Sequence, residues 1–173
     1  MAQPPPPSAQ ALLIANIQAS IASLQALPAL AEPLAEACRL ATEFVARFHT
    51  DRRPYPALCL TDSGSTLTAI SNDYSFEQVF ARQVRAFAAP GDVLIAITTS
   101  GKSKNIALAL EAAKEAGVAS IAFLGKGGGF TKGLATVDLL VPSEVTARVQ
   151  EAHLLLYHCL CEMVDATLIG RGA

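Results

Sequence analysis

A cluster of hydroxyl side chains follows an apolar run in the middle of the chain. Its members are Thr98, Thr99, Ser100 and Ser103, and Gly101 lies among them. The apolar run before them is typical of a buried strand, and the alanine-rich segment after them is typical of a helix. A turn there directs hydroxyl and backbone N–H groups at one point, at the positive end of a helix dipole. The segment predicts a phosphate or oxyanion site, although a simple helix cap at Ser103 explains the same pattern.

Two titratable side chains in the predicted helices have plain structural interpretations. Glu43 is typical of a solvated helix surface, and His158 lies in a largely apolar helix, as is typical of a buried core histidine. His153 lies five positions before His158, so the two point to different faces of a helix. We do not expect them to share one site within a chain.

Alternating strands and helices must position these residues. The predicted strands are residues 57–60, 93–97, 120–124 and 137–141, and the predicted helices are residues 12–27, 34–48, 75–87, 106–116 and 146–168. This order predicts an α/β fold with a doubly wound parallel sheet flanked by helices, preceded by an N-terminal helical segment. Ligands in such folds bind at the carboxyl ends of the strands, where the hydroxyl cluster lies. We predict a disordered proline-rich tail over residues 1–11 and a single domain over residues 12–173.

Composition narrows the function classes. With 51% apolar and 16% charged residues among 173, the chain suits one compact domain, and its net charge of -2 gives no case for nucleic-acid binding. It contains no apolar stretch of about 20 residues, and its first residues lack the basic start of a signal peptide. We therefore expect a cytoplasmic protein without a membrane span. The four cysteines are predicted to be reduced core residues: Cys38, Cys59, Cys159 and Cys161.

Eight short segments resemble one known family in order and spacing. They are ATEFVARF (41–48), AISNDYSF (69–76), FARQV (80–84), GDVL (91–94), TSGKS (99–103), LGKGG (124–128), VPS (141–143) and TARVQEAH (146–153). Together they resemble the sugar isomerase (SIS) domain family, and within it the phosphoheptose isomerases, from about residue 40 to the end. The resemblance implies a flavodoxin-like SIS fold, a homotetramer, and conversion of sedoheptulose 7-phosphate into a manno-heptose 7-phosphate. That reaction begins the synthesis of activated heptoses for bacterial lipopolysaccharide.

The resemblance also implies roles for individual residues. Glu43 matches the catalytic base and His158 the catalytic acid of the family. The residues that match substrate-binding positions are Thr98, Thr99, Ser100 and Ser103 at the phosphate, with Gln150, Asp73 and Arg47 lining the pocket. Some members bind zinc through a histidine together with the positions of Glu43, Gln150 and His158. Arg39 stands where that histidine is expected, so zinc is only a possible cofactor here, and no other cofactor is implied.

The chain departs from the family just before Glu43. The usual first strand and its Gly-Asn-Gly-Gly-Ser type of loop are absent between Ala37 and Leu40, a shortening of about twenty residues relative to a complete βα unit. Three interpretations stay open: the printed sequence omits residues, the deletion is real and joins the first two helices, or the resemblance misplaces this segment. Under a real deletion, the alternative to an isomerase is a non-catalytic sugar-phosphate or protein-binding adaptor, similar to the replication-initiation adaptors of this family. Both functions predict a homo-oligomer, because the apolar first and last helices exceed what one small sheet covers.

Overall fold

The computed structural model describes residues 40–169, which fall into two compact units. One unit is Leu60–His153, and the other contains, among the described residues, 40–59 and 154–169. Residues 40–45 are helical, and the remaining elements are α1 (Gly64–Asp73), a 3-10 turn (Phe76–Gln78), α2 (Val79–Phe87), β1 (Val93–Thr98), α3 (Lys104–Glu115), β2 (Ala119–Leu124), a 3-10 segment (Lys126–Thr131), β3 (Val137–Leu140) and α4 (Thr146–Ile169).

The three strands form one parallel sheet in the order β1-β2-β3, which confirms the predicted α/β class. Val93 pairs with Ala119 and Thr98 with Leu124, so β1 and β2 end at the same level. The central strand β2 is the most deeply buried, and its side chains Ala122, Phe123 and Leu124 are fully enclosed. A strand covered on both faces is expected to be mostly apolar, and the one buried polar residue of β2, Ser120, accepts a hydrogen bond from the N–H of Thr136 at 3.1 Å. The hydroxyl cluster therefore follows β1 at the carboxyl edge of the sheet.

Small side chains allow α3 to pack closely on both sides. Ala109, Ala112 and Ala113 of α3 form one buried cluster with Ala81 and Val84 of α2. Leu110, on another side of α3, joins a second cluster whose other buried members are Ala96, Ala122 and Leu124 of the sheet. Alanines at helical spacing bring the helix backbone close to its neighbours, so the core is dense without large side chains. The helix that begins at Lys104 is thereby fixed relative to the strand that precedes it.

Two predicted element boundaries are wrong. Residues 57–60 are not a strand, because no described strand lies beside them to complete a ladder, and the side chain of Leu58 is 61% exposed. The helix predicted over residues 34–48 ends at Val45, and residues 34–39 lie outside the described part of the chain.

Helix α1 was not predicted. The run Thr61-Asp-Ser-Gly-Ser65 has the composition of a turn, yet Ser63 acts as an N-cap whose Oγ accepts a hydrogen bond from the N–H of Thr66 at 3.2 Å. The helix buries none of its residues, so the sequence carries no apolar stripe that would reveal it.

Several other predictions fall on residues that the structure does not describe. The tail at residues 1–11, the helix at 12–27 and Cys38 lie outside residues 40–169, and the single-domain assignment stays a prediction. Within the described range, no helix is both long enough and apolar enough to span a bilayer. The thiols of Cys59, Cys159 and Cys161 are buried, as expected for core residues.

Candidate active site

The turn between β1 and α3 is built from its own hydroxyls. Thr98 Oγ1 accepts the N–H of Gly101 at 3.2 Å and lies 3.1 Å from Ser103 Oγ, so one hydrogen bond joins the two side chains. Ser100 Oγ accepts the N–H of Lys102 at 3.2 Å. Gly101 has φ of +62°, which the chain needs in order to reverse direction between strand and helix. The sequence thus places three of the four predicted hydroxyls in one hydrogen-bonded turn, and Thr99 lies beside them half-buried.

The hydroxyls of this turn keep donor capacity for a ligand. Each hydroxyl has one O–H donor and two acceptor positions. The hydroxyl of Ser100 only accepts within the turn, and when Thr98 donates to Ser103 the O–H of Ser103 is also available. Ser103 stands at the N-cap of α3 but its side chain makes no cap hydrogen bond, which argues against the simple helix-cap interpretation of this serine. The first turn of α3 contains no acidic residue, so the positive end of its dipole is unopposed there.

A glycine-rich segment holds the turn from the other side. Thr131, at the end of the 3-10 segment, donates from both Oγ1 (2.8 Å) and its backbone N–H (3.1 Å) to the carbonyl of Gly101. A Cβ atom on Gly101 would lie 1.9 Å from the carbonyl oxygen of Gly128, and one on Gly129 would lie 2.5 Å from the carbonyl oxygen of Gly101. The two backbones therefore touch, and only glycine fits at the contact. Close backbone packing and two hydrogen bonds therefore hold the turn against the glycine-rich segment.

Glu43 and His158 interact within the other unit. Glu43 lies in the helical residues 40–45, and His158 lies in α4 with its ring stacked on Phe48 at 5.4 Å between ring centroids. Burial lowers the pKa of His158 below its usual value, while the charges of Glu43 and Glu162 oppose that shift. The ring is therefore mostly neutral at neutral pH, with one N–H donor and one bare nitrogen. Such a ring can take up one proton while it gives up another.

The pKa of the Cys161 thiol is also affected by the carboxylate of Glu43. Burial raises its pKa to about 12, and the negative charges of Glu43 and Asp165 act in the same direction. Cys161 lies about one helical turn after His158, so the carboxylate of Glu43 faces this part of α4. A thiol with so high a pKa stays protonated at neutral pH and does not act as a nucleophile.

The remaining predicted residues are less constrained. Gln150 is half-buried in α4, Asp73 is exposed as the last residue of α1, and Arg47 is exposed and donates weakly to the carbonyl of His49 at 3.4 Å. Sequence reasoning missed Phe48 and Arg52, which contact the elements of Glu43 and His158. No local pattern marks either residue, because their roles depend on contacts with the distant helix α4.

Comparison with known proteins decides the family. The SIS domain family matches residues 33–125, which is more than half of the chain. The chain is 51% identical over 137 residues to the phosphoheptose isomerase of Clostridium acetobutylicum, an alignment that covers 79% of this chain and 70% of that protein. The chain belongs to the phosphoheptose isomerase family of SIS-domain proteins. The phosphoheptose isomerase of Citrifermentans bemidjiense is 48% identical over 138 residues, covering 80% of this chain and 72% of that protein.

Solved structures of phosphoheptose isomerases share the fold. The Francisella tularensis protein aligns with a TM-score of 0.75 at 32% identity, covering 91% of this chain and 96% of that chain. The Neisseria gonorrhoeae protein aligns with a TM-score of 0.69 at 36% identity, covering 91% of this chain and 89% of that chain. Relatives and neighbours alike are isomerases, so the adaptor alternative is not favoured.

A zinc site of the kind found in some family members does not fit this chain. Among residues 40–169, no group of three His, Cys, Asp or Glu side chains converges, and Glu43 and His158 supply only two such ligands. Gln150 is a weaker donor, and the fourth position holds Arg39, whose guanidinium has no lone pair to offer a cation. We derive no step of the reaction through a metal.

His153 is a structural residue, as its spacing from His158 suggests. Its ring is fully buried, contacts Phe123 edge-on at 5.8 Å between centroids, and places Nε2 3.2 Å from the carbonyl of Leu124. Nδ1 has no hydrogen-bond partner in the described structure, and burial lowers the pKa of the ring. The neutral tautomer with the proton on Nε2 satisfies these contacts.

Stability should therefore fall on mild acidification. Below pH 6.5, the usual pKa of histidine, the unfolded chain binds a proton that His153 in the folded protein refuses until its lowered pKa is reached. One such proton lowers the free energy of unfolding by up to about 1.4 kcal/mol per pH unit. We expect urea denaturation at pH 7.5 and 5.5 to show this loss, and a smaller loss in His153→Gln, with the residual part coming from His158. Equal losses in the wild-type protein and in His153→Gln would mean that His153 does not cause the loss of stability.

Proposed function

We propose that this protein interconverts sedoheptulose 7-phosphate and D-glycero-D-manno-heptose 7-phosphate through an enediol. The Glu43 carboxylate removes a proton from C1 of the open-chain ketose, and His158 donates its N–H proton to O2 as the enediol forms. His158 then takes the proton from O1, and Glu43 returns its proton to C2, which gives the aldose. Atoms and charges balance, because each group ends in the state in which it began.

The observation that carries this proposal is the approach of Glu43 to His158. The carboxylate acts on the pKa of the imidazole, and both groups lie on helical backbone rather than on loops. An enediol mechanism needs two groups that exchange protons with neighbouring atoms of one substrate. A carboxylate close enough to act on the charge of an imidazole, in a partly buried region, supports such a pair of groups.

The hydroxyl turn is the proposed phosphate anchor. Backbone N–H groups at the start of α3, the hydroxyls of Ser100 and Ser103, and the exposed cation of Lys102 suit a phosphate dianion. Gln150, Arg47 and Asp73 are assigned to the sugar hydroxyls, with Thr98 and Thr99 supporting the anchor. The substrate's reacting carbons stand at the far end of the molecule from the phosphate, so anchor and acid-base pair have separate tasks.

We further propose a cytoplasmic homotetramer. Buried thiols suit a reducing compartment, as does a phosphorylated sugar substrate. Leu58, Phe76 and Phe87 are each more than 60% exposed in the single chain, which favours burial between subunits. The number four rests on the family resemblance.

The decisive experiment measures the intact mass and the isomerase activity of the same sample. The purified protein is weighed by mass spectrometry and the same sample is assayed with sedoheptulose 7-phosphate, the aldose being followed by proton NMR. Turnover at 18.0 kDa supports an isomerase that works without the usual Gly-rich loop. A sample of that mass that binds the sugar phosphate and does not turn it over contradicts the proposal and returns the chain to the adaptor class.

The phosphate anchor can be tested separately by Ser100→Ala with Ser103→Ala. Each hydroxyl that donates to a charged oxygen contributes about 1.5–3 kcal/mol, so the loss of both in the double variant should raise KM by at least about 100-fold. The kcat should change little, because the hydroxyls are assigned to the phosphate and not to the reacting carbons. Ser65→Ala, which removes an exposed hydroxyl at the start of α1, is the matched control. Unchanged affinity in the double variant would rule out the anchor.

A further inference from the structure

Arg52 is a buried cation at the end of the helix that carries Glu43. Its side chain is only 5% exposed, and its Nε donates to Asp165 Oδ1 at 2.6 Å. The guanidinium carbon lies 4.0 Å from the centroid of the Tyr55 ring. An arginine enclosed to this degree needs partners for its charge, because an unpaired buried charge is strongly unfavourable. Its partners therefore reveal what it does.

The other donors of Arg52 reach the backbone of Glu43 itself. Nη2 donates to the carbonyl of Glu43 at 2.8 Å, and Nη1 donates to the carbonyl of Phe44 at 2.9 Å. These carbonyls are among the last of the helix and have no partner within it. The cation also lies at the negative end of the helix dipole. Arg52 thus fixes the backbone from which the proposed catalytic base projects.

Asp165 belongs to the helix of the proposed catalytic acid. It follows His158 by seven residues in α4, so the two share a face and are about 10 Å apart along the helix axis. The segment that holds Arg52 also stacks Phe48 on His158, with 5.4 Å between ring centroids. The same segment therefore contacts α4 at two positions along the helix axis, at His158 and at Asp165.

We propose that Arg52 and Asp165 are a positioning pair that sets the location of Glu43 relative to His158. The pair touches no reacting atom, and the inference rests on the roles proposed above for Glu43 and His158. Stability alone is a poor reason for such a pair, since well-packed apolar residues often replace a buried ion pair without loss. The planar fork of arginine is needed because it reaches one carboxylate, the two helix carbonyls and, more weakly, the carbonyl of Arg53 at 3.3 Å at the same time.

The test compares three variants with the wild-type protein. Arg52→Met combined with Asp165→Leu removes both charges, so no buried charge is left unpaired. Arg52→Lys keeps the charge and loses the fork. Arg85→Gln combined with Glu115→Gln removes the exposed ion pair of 3.1 Å between α2 and α3, as a matched control. Circular dichroism and urea denaturation establish the folded fraction of each.

Two readouts separate positioning from folding. We expect the kcat of the apolar double variant to fall about 100-fold with KM changed less than about twofold, because a misplacement near 1 Å has that effect on chemistry. Arg52→Lys should recover part of the kcat, and the control pair should match wild type. The chain has three histidines, so their Cε1–Hε1 NMR signals are easily resolved and assigned. The His158 signal should move, while that of His153, whose ring lies beside Leu124 at the end of β2, should not.

The outcomes are distinct. A large fall in kcat with a shifted His158 signal and an unmoved His153 signal supports the positioning pair. Unchanged kcat in the folded double variant overturns it, and so does a loss of activity that only follows the folded fraction. If the wild-type protein has no turnover, the proposed function fails. The pair is then judged by the His158 signal, which supports the geometry if it moves and overturns it if it does not.

Discussion

Replacement of Glu43 by Gln is expected to abolish turnover while leaving sugar-phosphate binding intact. The amide keeps the size and hydrogen-bonding capacity of the side chain but cannot accept a proton from carbon. Removal of a general base reduces kcat by about 10²- to 10⁴-fold, and we expect the upper part of that range because no second carboxylate is assigned to the reacting carbons. Titration calorimetry with sedoheptulose 7-phosphate should give a dissociation constant within a fewfold of wild type.

A matched substitution shows whether the loss is specific. Glu115 is exposed, with 65% of its side chain accessible, and pairs with Arg85 away from the acid-base residues in sequence. Glu115→Gln removes the same charge by the same chemical change and should retain full kcat. Substantial turnover in Glu43→Gln would exclude this residue as the base.

The partnership of Glu43 with His158 can be measured by combining their substitutions. His158→Asn alone should also reduce kcat strongly, because the enediol oxygens lose their proton carrier. Residues that act as one unit are not additive, so the double variant should be little worse than Glu43→Gln alone. Additive losses in free energy of activation would mean that the two groups serve separate steps.

The part of the fold that was predicted correctly is the part governed by local pattern. Strands β1, β2 and β3 were recognised from short apolar runs, and α3 from its alanine and leucine periodicity ending at Gly117, which has φ of +70°. Residues 57–60 have the same apolar character, yet they are not a strand. A strand exists only where a neighbour completes its hydrogen bonds, and that condition is absent from the local sequence.

The candidate site also has one part that local sequence predicts and one part that it does not. The hydroxyl turn was predictable because all its members lie within a few residues and follow a recognisable strand. The pairing of Glu43 with His158 came only from family resemblance, since 115 positions of sequence separate them. Arg52 carried no signal at all, because its partner Asp165 is 113 positions away. Long-range contacts between polar residues leave no periodicity in a single sequence.

Gly101→Ala is expected to destroy the phosphate anchor and destabilise the protein strongly. The new Cβ would lie 1.9 Å from the carbonyl oxygen of Gly128 and 2.8 Å from its Cα, both backbone atoms that cannot rotate away. Thr131 holds the carbonyl of Gly101 by two hydrogen bonds, so the turn cannot retreat without breaking them. Phosphate binding should be lost even where the variant folds, because the N–H of Gly101 and the hydroxyl of Thr98 would separate.

Gly117→Ala separates the steric contact from backbone strain, because the two glycines share a left-handed conformation. Gly117 has φ of +70° but no atom within 4 Å of the position of a Cβ, whereas Gly101 has φ of +62° and a severe contact. The left-handed conformation alone costs about 1–2 kcal/mol for a residue with a side chain. Overpacking adds about 1–3 kcal/mol. In urea denaturation, the free energy of unfolding of Gly101→Ala should therefore be lower than that of Gly117→Ala by this amount. Equal stability of the two variants would mean that the turn and the glycine-rich segment do not touch in solution, and the anchor would then have to form only when phosphate binds.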